Sequence, residues 1–168
     1  DLWWEFHDLE WTQILQHHVG EFELIPPLDK EFSCLTLTSS QDLEGIEDLV
    51  TALPDVVFYI AAWTDMGPKL YELQNNYRNI RLHPAITIEK LEQLKVRMGL
   101  YLDISCGHST HDIVKSAHEM NKIIFSFDST QHGSFGQYIY SSKVPERMVE
   151  DIENLISGTF QVRRPAIM

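Results

Sequence analysis

The sequence predicts an α/β fold, with a parallel sheet that carries helices on both faces. Apolar, β-forming segments begin near residues 32, 56, 79, 98 and 122, so a new strand is expected about every 19 to 24 residues. Segments with apolar residues at helical spacing lie between them. This alternation is typical of βα units joined by right-handed crossovers. The length of 168 residues suits a single domain with one core.

The central unit of the prediction runs from residue 98 to residue 133. Gly99–Ser105 is apolar until Asp103, as expected of a strand buried on both faces. A helix is expected next, with Ser109 or Thr110 as its N-cap and with an apolar face formed by Ile113, Ala117 and Met120. Asn121 can end this helix in a left-handed conformation, and Lys122–Phe127 then forms the next strand.

Three further strands are expected before this unit, at Phe32–Thr38, Val56–Ala62 and Asn79–His83. The helices between them have recognisable start signals, which are the capping-box pair Ser39 and Asp42, the helix-leading Pro68, and Thr87 as an N-cap. The apolar faces of these helices are predicted to be Ile46, Leu49, Val50 and Leu53, then Leu70, Leu73 and Tyr77, then Ile88, Leu91 and Leu94.

The C-terminal part predicts a short edge strand at Tyr138–Tyr140 and a last helix. Pro145 suits the first position of that helix, and Gly158 suits its end. Its apolar face is expected to consist of Met148, Ile152, Leu155 and Ile156.

The N-terminal segment is rich in tryptophan and is predicted to form a docking helix. Trp3, Trp4 and Trp11 exceed what a solvated tail needs, so we expect them to pack on this domain or on a partner. The predicted organisation is residues 1–31 as helix and linker, 32–158 as the α/β domain, and 159–168 as a tail. The start on Asp1, within a segment already patterned as helix, suggests a fragment of a longer polypeptide.

Composition excludes several classes of protein. A formal charge of −12 leaves no surplus of Lys and Arg to neutralise phosphates, so nucleic acid is not expected as a partner. The longest apolar run, Val56–Trp63, is far shorter than the roughly twenty residues that span a bilayer. Cys34 and Cys106 form no short-spaced metal pair and suggest reduced thiols, so a cytoplasmic protein is expected.

No phosphate-binding motif follows any predicted strand, because neither GxGxxG nor GxxxxGK[ST] is present. The loop Gly107–Thr110 nevertheless offers small and hydroxyl-bearing residues at a helix start, where backbone N–H groups can hold a phosphate. An ordinary structural turn explains the same residues. Both interpretations of this loop stay open.

Two reactive arrangements can be drawn around the same loop. Cys106, His108 and His111 with Asp103 contain zinc-ligand types, but their spacing matches no closed site, so no metal is expected. Cys106 with His108 as a catalytic pair is less favoured still, because no third group orients the base. His132 is a better candidate for contacting a polar ligand, with a solvated loop histidine as the alternative.

The order of residues resembles bacterial glycosyltransferase-like proteins that glycosylate serine-rich repeat adhesins in the accessory Sec pathway. The resemblance rests on Gln41-Asp42-Leu43-Glu44-Gly45-Ile46-Glu47-Asp48-Leu49, Ala52-Leu53-Pro54, Phe58-Tyr59-Ile60-Ala61-Ala62, Tyr77-Arg78-Asn79-Ile80-Arg81-Leu82-His83-Pro84, Tyr101-Leu102-Asp103-Ile104-Ser105 and Phe127-Asp128-Ser129-Thr130-Gln131-His132. It implies the carboxyl-terminal, nucleotide-sugar-binding half of a GT-B transferase, which is a Rossmann-like domain. It covers roughly residues 32 to 155.

The opening run Leu2-Trp3-Trp4-Glu5-Phe6-His7-Asp8-Leu9-Glu10-Trp11 is similar to the tail that follows the catalytic domain in some family-eight glycosyltransferases. This similarity implies a domain appended to such an enzyme. Active GT-B enzymes commonly present E-A-x-x-x-G in the central helix, where the glutamate binds the donor's ribose. Here Ser116 stands in place of that glutamate and Asn121 in place of the glycine, so the resemblance is closer to companion or chaperone subunits than to catalytic ones.

The resulting prediction is a nucleotide-sugar or glycan site at the strand ends, with no catalytic residue in this chain and no cofactor beyond that ligand. The expected partner is a catalytic glycosyltransferase domain or subunit, and a glycoprotein acceptor is a further candidate. A protein-docking module without a small-molecule ligand is the alternative. The predicted ligand-binding residues are Ser39, Ser40, Thr64, Asp103, Gly107, His108, Ser109, Thr110, Ser116, Asp128, Thr130 and His132.

Overall fold

The computed structural model describes residues 31–108 and 112–161. In this part of the chain, a helix follows each of the first four strands. The fifth and sixth strands then follow each other directly, and a last helix comes after them. The strands are β1 (Ser33–Leu37), β2 (Val57–Ala61), β3 (Ile80–His83), β4 (Leu100–Asp103), β5 (Ile124–Phe127) and β6 (Tyr138–Tyr140). The helices are α1 (Ile46–Ala52), α2 (Pro68–Asn76), α3 (Ile88–Arg97), α4 (Ile113–Glu119) and α5 (Pro145–Ser157).

The six strands form one sheet in the order β3-β2-β1-β4-β5-β6, and every neighbouring pair is parallel. On one side of β1 lie β2 and then β3, and on its other side lie β4, β5 and β6 in order. The direction in which successive strands are added therefore reverses between β1 and β4. In open sheets of this type, ligands bind beyond the carboxyl ends of the strands where that direction reverses. The predicted Rossmann-like α/β fold is confirmed, and its reversal point lies between β1 and β4.

Helices cover both faces of the sheet, and each face has its own apolar core. One core joins α1, α2 and α5 to the sheet through side chains such as Leu49, Leu70 and Ile152. The other joins α3 and α4 through Leu91, Leu94 and Val114. Burial on both faces explains why the strands are apolar at nearly every position.

Most of the predicted start and stop signals operate as expected. Pro68 and Pro145 lie in the first turns of α2 and α5, and the Thr87 hydroxyl accepts the Lys90 N–H at the start of α3. Asn121 and Gly158 follow their helices with φ of 60° and 80°, as left-handed helix ends require. The edge strand Tyr138–Tyr140 is also confirmed.

Two predicted N-caps are wrong. The first helix begins at Ile46 rather than after a capping box of Ser39 and Asp42, because residues 42–44 pair with the chain that leaves β4. In the helix of the central unit, the N-cap position is occupied by Asp112, at φ 48° and without a capping bond from its side chain, rather than by Ser109 or Thr110.

Two side chains predicted to face the core are exposed. Ile88 is 61% exposed and Ile156 is 49% exposed. Each lies in a terminal turn of its helix, where the apolar stripe extends past the two core clusters. The helical spacing of apolar residues identifies the apolar stripe of a helix, but it does not show how much of that stripe packs against the sheet.

The predicted Trp-rich helix, most of the 1–31 segment and the end of the predicted tail lie outside the described residues. The division into 1–31, 32–158 and 159–168 therefore stays a prediction. Within residues 31–108 and 112–161, every helix is too short or too polar to cross a bilayer.

Candidate ligand site at the carboxyl edge of the sheet

The carboxyl ends of β1 and β4 are joined by a chain of buried hydroxyl groups. Thr38 Oγ1 donates to Ser40 O at 2.7 Å, so the hydrogen in its 2.7 Å contact with Ser105 Oγ comes from Ser105. Ser105 Oγ then accepts the Gly107 N–H at 3.1 Å. These bonds fix the first residues of both loops relative to each other.

Backbone pairing closes the space between these two strands further along. Glu44 N–H donates to Ile104 O at 2.8 Å, and Cys106 N–H donates to Asp42 O at 2.9 Å. Leu43, between them, is buried. The chain leaving β1 thus pairs with the chain leaving β4 before α1 begins, beside the reversal point where ligands bind in sheets of this type.

The two predicted loops contact each other at Ser39 and Gly107. Ser39 Oγ donates to His108 O at 3.3 Å. A Cβ atom on Gly107 would lie 2.5 Å from Ser39 Oγ and 3.0 Å from Ser40 Cβ, so the close approach requires glycine. The structure therefore brings together Ser39, Ser40, Gly107 and His108, as a shared site would require.

The buried carboxylate of Asp103 pairs with the partly buried ring of His132 at the end of β4. His132 Nδ1 lies 2.6 Å from Asp103 Oδ1, and His132 Nε2 lies 2.8 Å from Gly107 O. The backbone N–H of His132 also donates to Asp103 Oδ2 at 2.7 Å. The loop after β5 is thereby attached to both β4 and the loop that follows β4.

Asp103 and Thr130 support the site from beneath its surface. Ser126 Oγ donates to Asp103 Oδ2 at 2.8 Å, and Thr130 Oγ1 donates to Asp103 O at 2.8 Å. Asp103 is 3% exposed and Thr130 is 4% exposed. In this arrangement, both residues hold the loops in place from below the surface.

Electrostatics at this edge favour a charged imidazole and a neutral thiol. Burial works against the charged form of His132, but the bonds to Gly107 O and Asp103 outweigh it and raise the pKa of His132. The pKa of the Cys106 thiol is raised by its partial burial and by Glu44 and Asp42 nearby. A raised pKa lowers the thiolate fraction, which argues against Cys106 as a nucleophile.

The remaining predicted residues lie further from this cluster. Thr64, after β2, is exposed and donates to Asp65 O at 3.2 Å. Asp128, after β5, accepts the Ser142 N–H at 3.1 Å, and this bond holds the pKa of Asp128 below its usual range. Ser116 is half-buried in the middle of α4. Ser109 and Thr110 lie outside the described residues.

A groove between α1 and α2 opens beside the cluster and was not predicted. It has a volume of about 430 Å³ and a mostly polar rim that includes Asp42, Glu44, Glu47 and Glu72. Gln41 helps to shape it, because its Oε1 accepts the Lys69 N–H at the start of α2 at 3.1 Å. A Gln side chain that caps a helix 28 residues away leaves no local signal in the sequence.

Within the described residues, no group of three or more His, Cys, Asp or Glu could hold a metal ion.

A doubly wound parallel sheet with its polar loops gathered at the reversal point defines a Rossmann-like domain of the type found in GT-B glycosyltransferases. The chain belongs to the GftB/GlyA-F C-terminal domain family, whose model matches residues 34–165. This confirms the predicted resemblance at the level of the family. The finer expectation, a domain appended to a family-eight enzyme, stays a prediction.

Similar proteins come from streptococci. The chain is 60% identical, over 92% of its length, to the glycosyltransferase GlyD of Streptococcus pneumoniae serotype 4, of which it covers 19%. It is 36% identical, over 77% of its length, to the UDP-N-acetylglucosamine–peptide N-acetylglucosaminyltransferase stabilizing protein GtfB of Streptococcus gordonii, of which it covers 29%. It therefore spans less than a third of either relative.

The fold has solved counterparts in the same group of proteins. A chain in the crystal structure of the GtfA/B complex bound to UDP and GlcNAc matches with a TM-score of 0.69 and 30% identity. The match covers 83% of this chain and 33% of that chain. The fold is thus shared with glycosyltransferase structures.

Proposed function

We propose that this domain binds a glycan or a nucleotide sugar at the carboxyl edge of its sheet and assists a catalytic glycosyltransferase in protein glycosylation. The observation that carries the proposal is the convergence of the loops after β1, β4 and β5, joined by Thr38, Ser105 and His132. Loops that are held so closely form a preorganised surface, and preorganisation reduces the entropy lost on binding.

The charges at this edge favour a neutral glycan over a diphosphate. Residues 38–44, 103–108 and 128–137 contain no Lys or Arg, while they contain Asp42, Glu44, Asp103 and Asp128. A diphosphate would have to rely on His108, His132 and backbone N–H groups. Sugar hydroxyl groups, in contrast, can donate to carboxylates and to the Ser39 and Ser40 hydroxyls.

The same charges support a role without turnover in the isolated domain. Departure of a nucleoside diphosphate needs a metal ion or several positive groups to stabilise the developing charge. His132 is already paired with Asp103, and Ser116 replaces the ribose-binding glutamate. We therefore assign turnover to a catalytic domain or subunit, consistent with the description of GtfB as a stabilizing protein.

Calorimetry and a hydrolysis assay on the 168-residue chain test this proposal. We expect weak binding of N-acetylglucosamine or UDP-N-acetylglucosamine and no hydrolysis of the latter. The double variant His108→Ala, Ser109→Ala should abolish the binding. The matched control is Glu153→Ala, Ser157→Ala, on the exposed C-terminal half of α5, which should bind as the unmodified chain does.

Each half of the proposal can fail separately. Robust hydrolysis by the isolated chain would contradict the assignment of turnover to a partner. Binding that survives in the His108→Ala, Ser109→Ala variant would place the ligand elsewhere. Absence of binding to either sugar would favour the second candidate function.

That candidate is a protein-docking module, and it is favoured by apolar side chains exposed on α3. Ile88 and Val96 lie eight residues apart, so they share one side of the helix, and Val96 is 69% exposed. Such a pair can contact a catalytic domain or a glycoprotein acceptor. If docking is the function, Ile88→Glu with Val96→Glu should reduce stimulation of the partner transferase while sugar binding stays unchanged.

A further inference from the structure

Both ring nitrogens of His132 face oxygen atoms that accept hydrogen bonds when Asp103 is ionised. Nε2 faces Gly107 O, a carbonyl that can only accept. Nδ1 faces Oδ1 of Asp103, and the other oxygen of that carboxylate already accepts from Ser126 Oγ and from the His132 backbone N–H. A neutral imidazole has a single N–H, so it can satisfy one of the two contacts only. With Asp103 ionised, these two contacts are therefore those of an imidazolium.

The surroundings of His132 support this state. The titratable groups on the elements around it are Asp103 on β4, Cys106 and His108 on the next loop, Asp128 on its own loop, and Asp42 and Glu44 on the loop after β1. Of these, Asp103 contacts the ring directly, and its carboxylate is 3% exposed. Burial opposes the charge on the ring, while the bonds to Gly107 and Asp103 favour it and prevail, which raises the pKa of His132.

When the His132 ring loses one proton to solvent, its contact with Gly107 O changes more than its contact with Asp103 does. A carboxylate holds the Nδ1 proton more strongly than a neutral carbonyl holds the Nε2 proton, so the proton leaves from Nε2. A lone pair on Nε2 would then face the lone pairs of Gly107 O at the present distance of 2.8 Å. That contact is repulsive, and the loop carrying Gly107 has to move away.

We propose that His132 is a positioning residue whose charged ring latches the loop of residues 105–108 to the loop after β5, so that the arrangement of these loops at the carboxyl edge of the sheet depends on pH. The effect on a bound ligand rests on the proposed function, whereas the latch itself does not. Its physical basis is one titratable bond between these two loops, from His132 Nε2 to Gly107 O, whereas the hydroxyl contacts of residues 105–108 go to the loop after β1.

Nuclear magnetic resonance of the 168-residue chain, labelled with ¹³C and ¹⁵N at histidine and ¹⁵N at backbone amides, tests the latch without any ligand. We expect the His132 ring to be doubly protonated at pH 6 and to titrate with a midpoint above the ordinary value of about 6.5. The amide signals of Cys106, Gly107 and His108 should shift with the same midpoint. A neutral ring at pH 6, or loop amides that do not follow the ring, would overturn the latch.

A variant pair separates the latch from general effects of pH. His132→Gln retains an amide N–H donor but does not titrate, so the loop amides should lose their pH-dependent shift. His83→Gln makes the same change at the end of β3, which lies at the opposite edge of the sheet, and the shift should persist. If His132→Gln does not fold, the titration of the unmodified chain still decides the question.

The effect on ligand binding is measured by calorimetry with N-acetylglucosamine and with UDP-N-acetylglucosamine at pH 6 and pH 8.5. We expect affinity to fall about tenfold at the higher pH, which corresponds to one hydrogen bond, and to be equal at both pH values in His132→Gln. Equal affinity in the unmodified chain, with the loop still titrating, would overturn the link between the latch and ligand binding. Absence of binding at both pH values would contradict the proposed function. The latch would still be decided by the magnetic resonance titration of His132.

Discussion

The hydroxyl oxygens of Thr38 and Ser105 lie 2.7 Å apart, and they join β1 to β4 where the growth of the sheet reverses. Both side chains are buried. Thr38 Oγ1 also accepts the Ser40 N–H at 3.0 Å, and Ser105 Oγ accepts the Gly107 N–H. Two strands that are 67 residues apart in sequence thus share one network of hydroxyl groups.

Replacing Thr38 with valine should therefore lower the free energy of unfolding. Valine keeps the shape but leaves Ser105 Oγ and the backbone groups of Ser40 without their partner, which costs about 1–3 kcal/mol. Urea denaturation measures the change. Thr64→Val is the matched control, since Thr64 is exposed, and it should stay within about 0.5 kcal/mol. Equal stability of the two variants would show that the Thr38 network contributes little.

The strands could be predicted because each is a short apolar run that ends in a polar or helix-starting residue. Burial on both faces makes such runs conspicuous, and β4 and β5 were placed to within two residues on this basis. The start of α1 was missed for a different reason. Ser39 and Asp42 have the local spacing of a capping box, but backbone pairing of residues 42–44 with the chain after β4 is non-local and delays the helix.

The candidate site shows the same division between local and non-local signals. That Ser39, Gly107 and His132 follow strands is visible in the sequence, and strand ends meet at one edge of a parallel sheet. That His132 reaches both Asp103 and Gly107 is not visible, because it depends on the turn after β5 and on the pairing of β5 with β4. The hypothesis that His132 contacts a ligand remains open, but its ring nitrogens are engaged within the protein.

Gly45→Ala should destabilise the domain more than Gly158→Ala does. Both glycines have left-handed φ values, 67° and 80°, so each substitution incurs a strain of about 1–2 kcal/mol. At Gly45, however, a Cβ atom would lie 2.9 Å from two carbons of the Phe127 ring, whereas nothing lies within 4 Å at Gly158. Thermal or urea unfolding of both variants measures the difference.

We expect the additional loss at Gly45 to be about 1 kcal/mol or more, because Phe127 is fully buried and has little room to move. A smaller loss at Gly45 than at Gly158 would contradict the close packing of the α1 start against β5. The comparison is informative because the backbone strain is common to the two positions and cancels.

Gln41→Ala should cost more stability than removal of the neighbouring ion pair. The side chain of Gln41 caps the start of α2 by accepting the Lys69 N–H, and loss of such a cap costs about 0.5–2 kcal/mol. The pair between Lys69 Nζ and Asp42 Oδ1, at 2.5 Å, is largely exposed to solvent, which screens it, so it is expected to contribute less than the cap. Asp42→Asn removes the charge and keeps the backbone contacts of the loop.

Urea denaturation of the two variants in low salt and in 0.5 M salt distinguishes the two interactions. In 0.5 M salt the screening length falls to about 3 to 5 Å, so exposed charges attract each other less. The effect of Gln41→Ala should be independent of salt, since the bond is between neutral groups. Any effect of Asp42→Asn should shrink in salt. A larger loss for Asp42→Asn than for Gln41→Ala would reverse our ranking of the two contacts.

The last prediction concerns the pH dependence of stability that His132 confers. The folded-state pKa of His132 is raised above its ordinary value of about 6.5, so its contribution is complete below that value and is lost as pH rises through the folded-state pKa. The difference in unfolding free energy between the unmodified chain and His132→Gln should thus be largest near pH 5.5 and smaller at pH 8.5. Asp65 and Asp128, whose pKa values are lowered, lose their contributions only in more acidic solution. Lys69 and Tyr71, whose pKa values are raised from 10.5 and 10.0, change only in more alkaline solution. Urea denaturation at four pH values between these limits therefore isolates His132, and a difference that is constant or grows with pH would show that its ring is not held in the charged form.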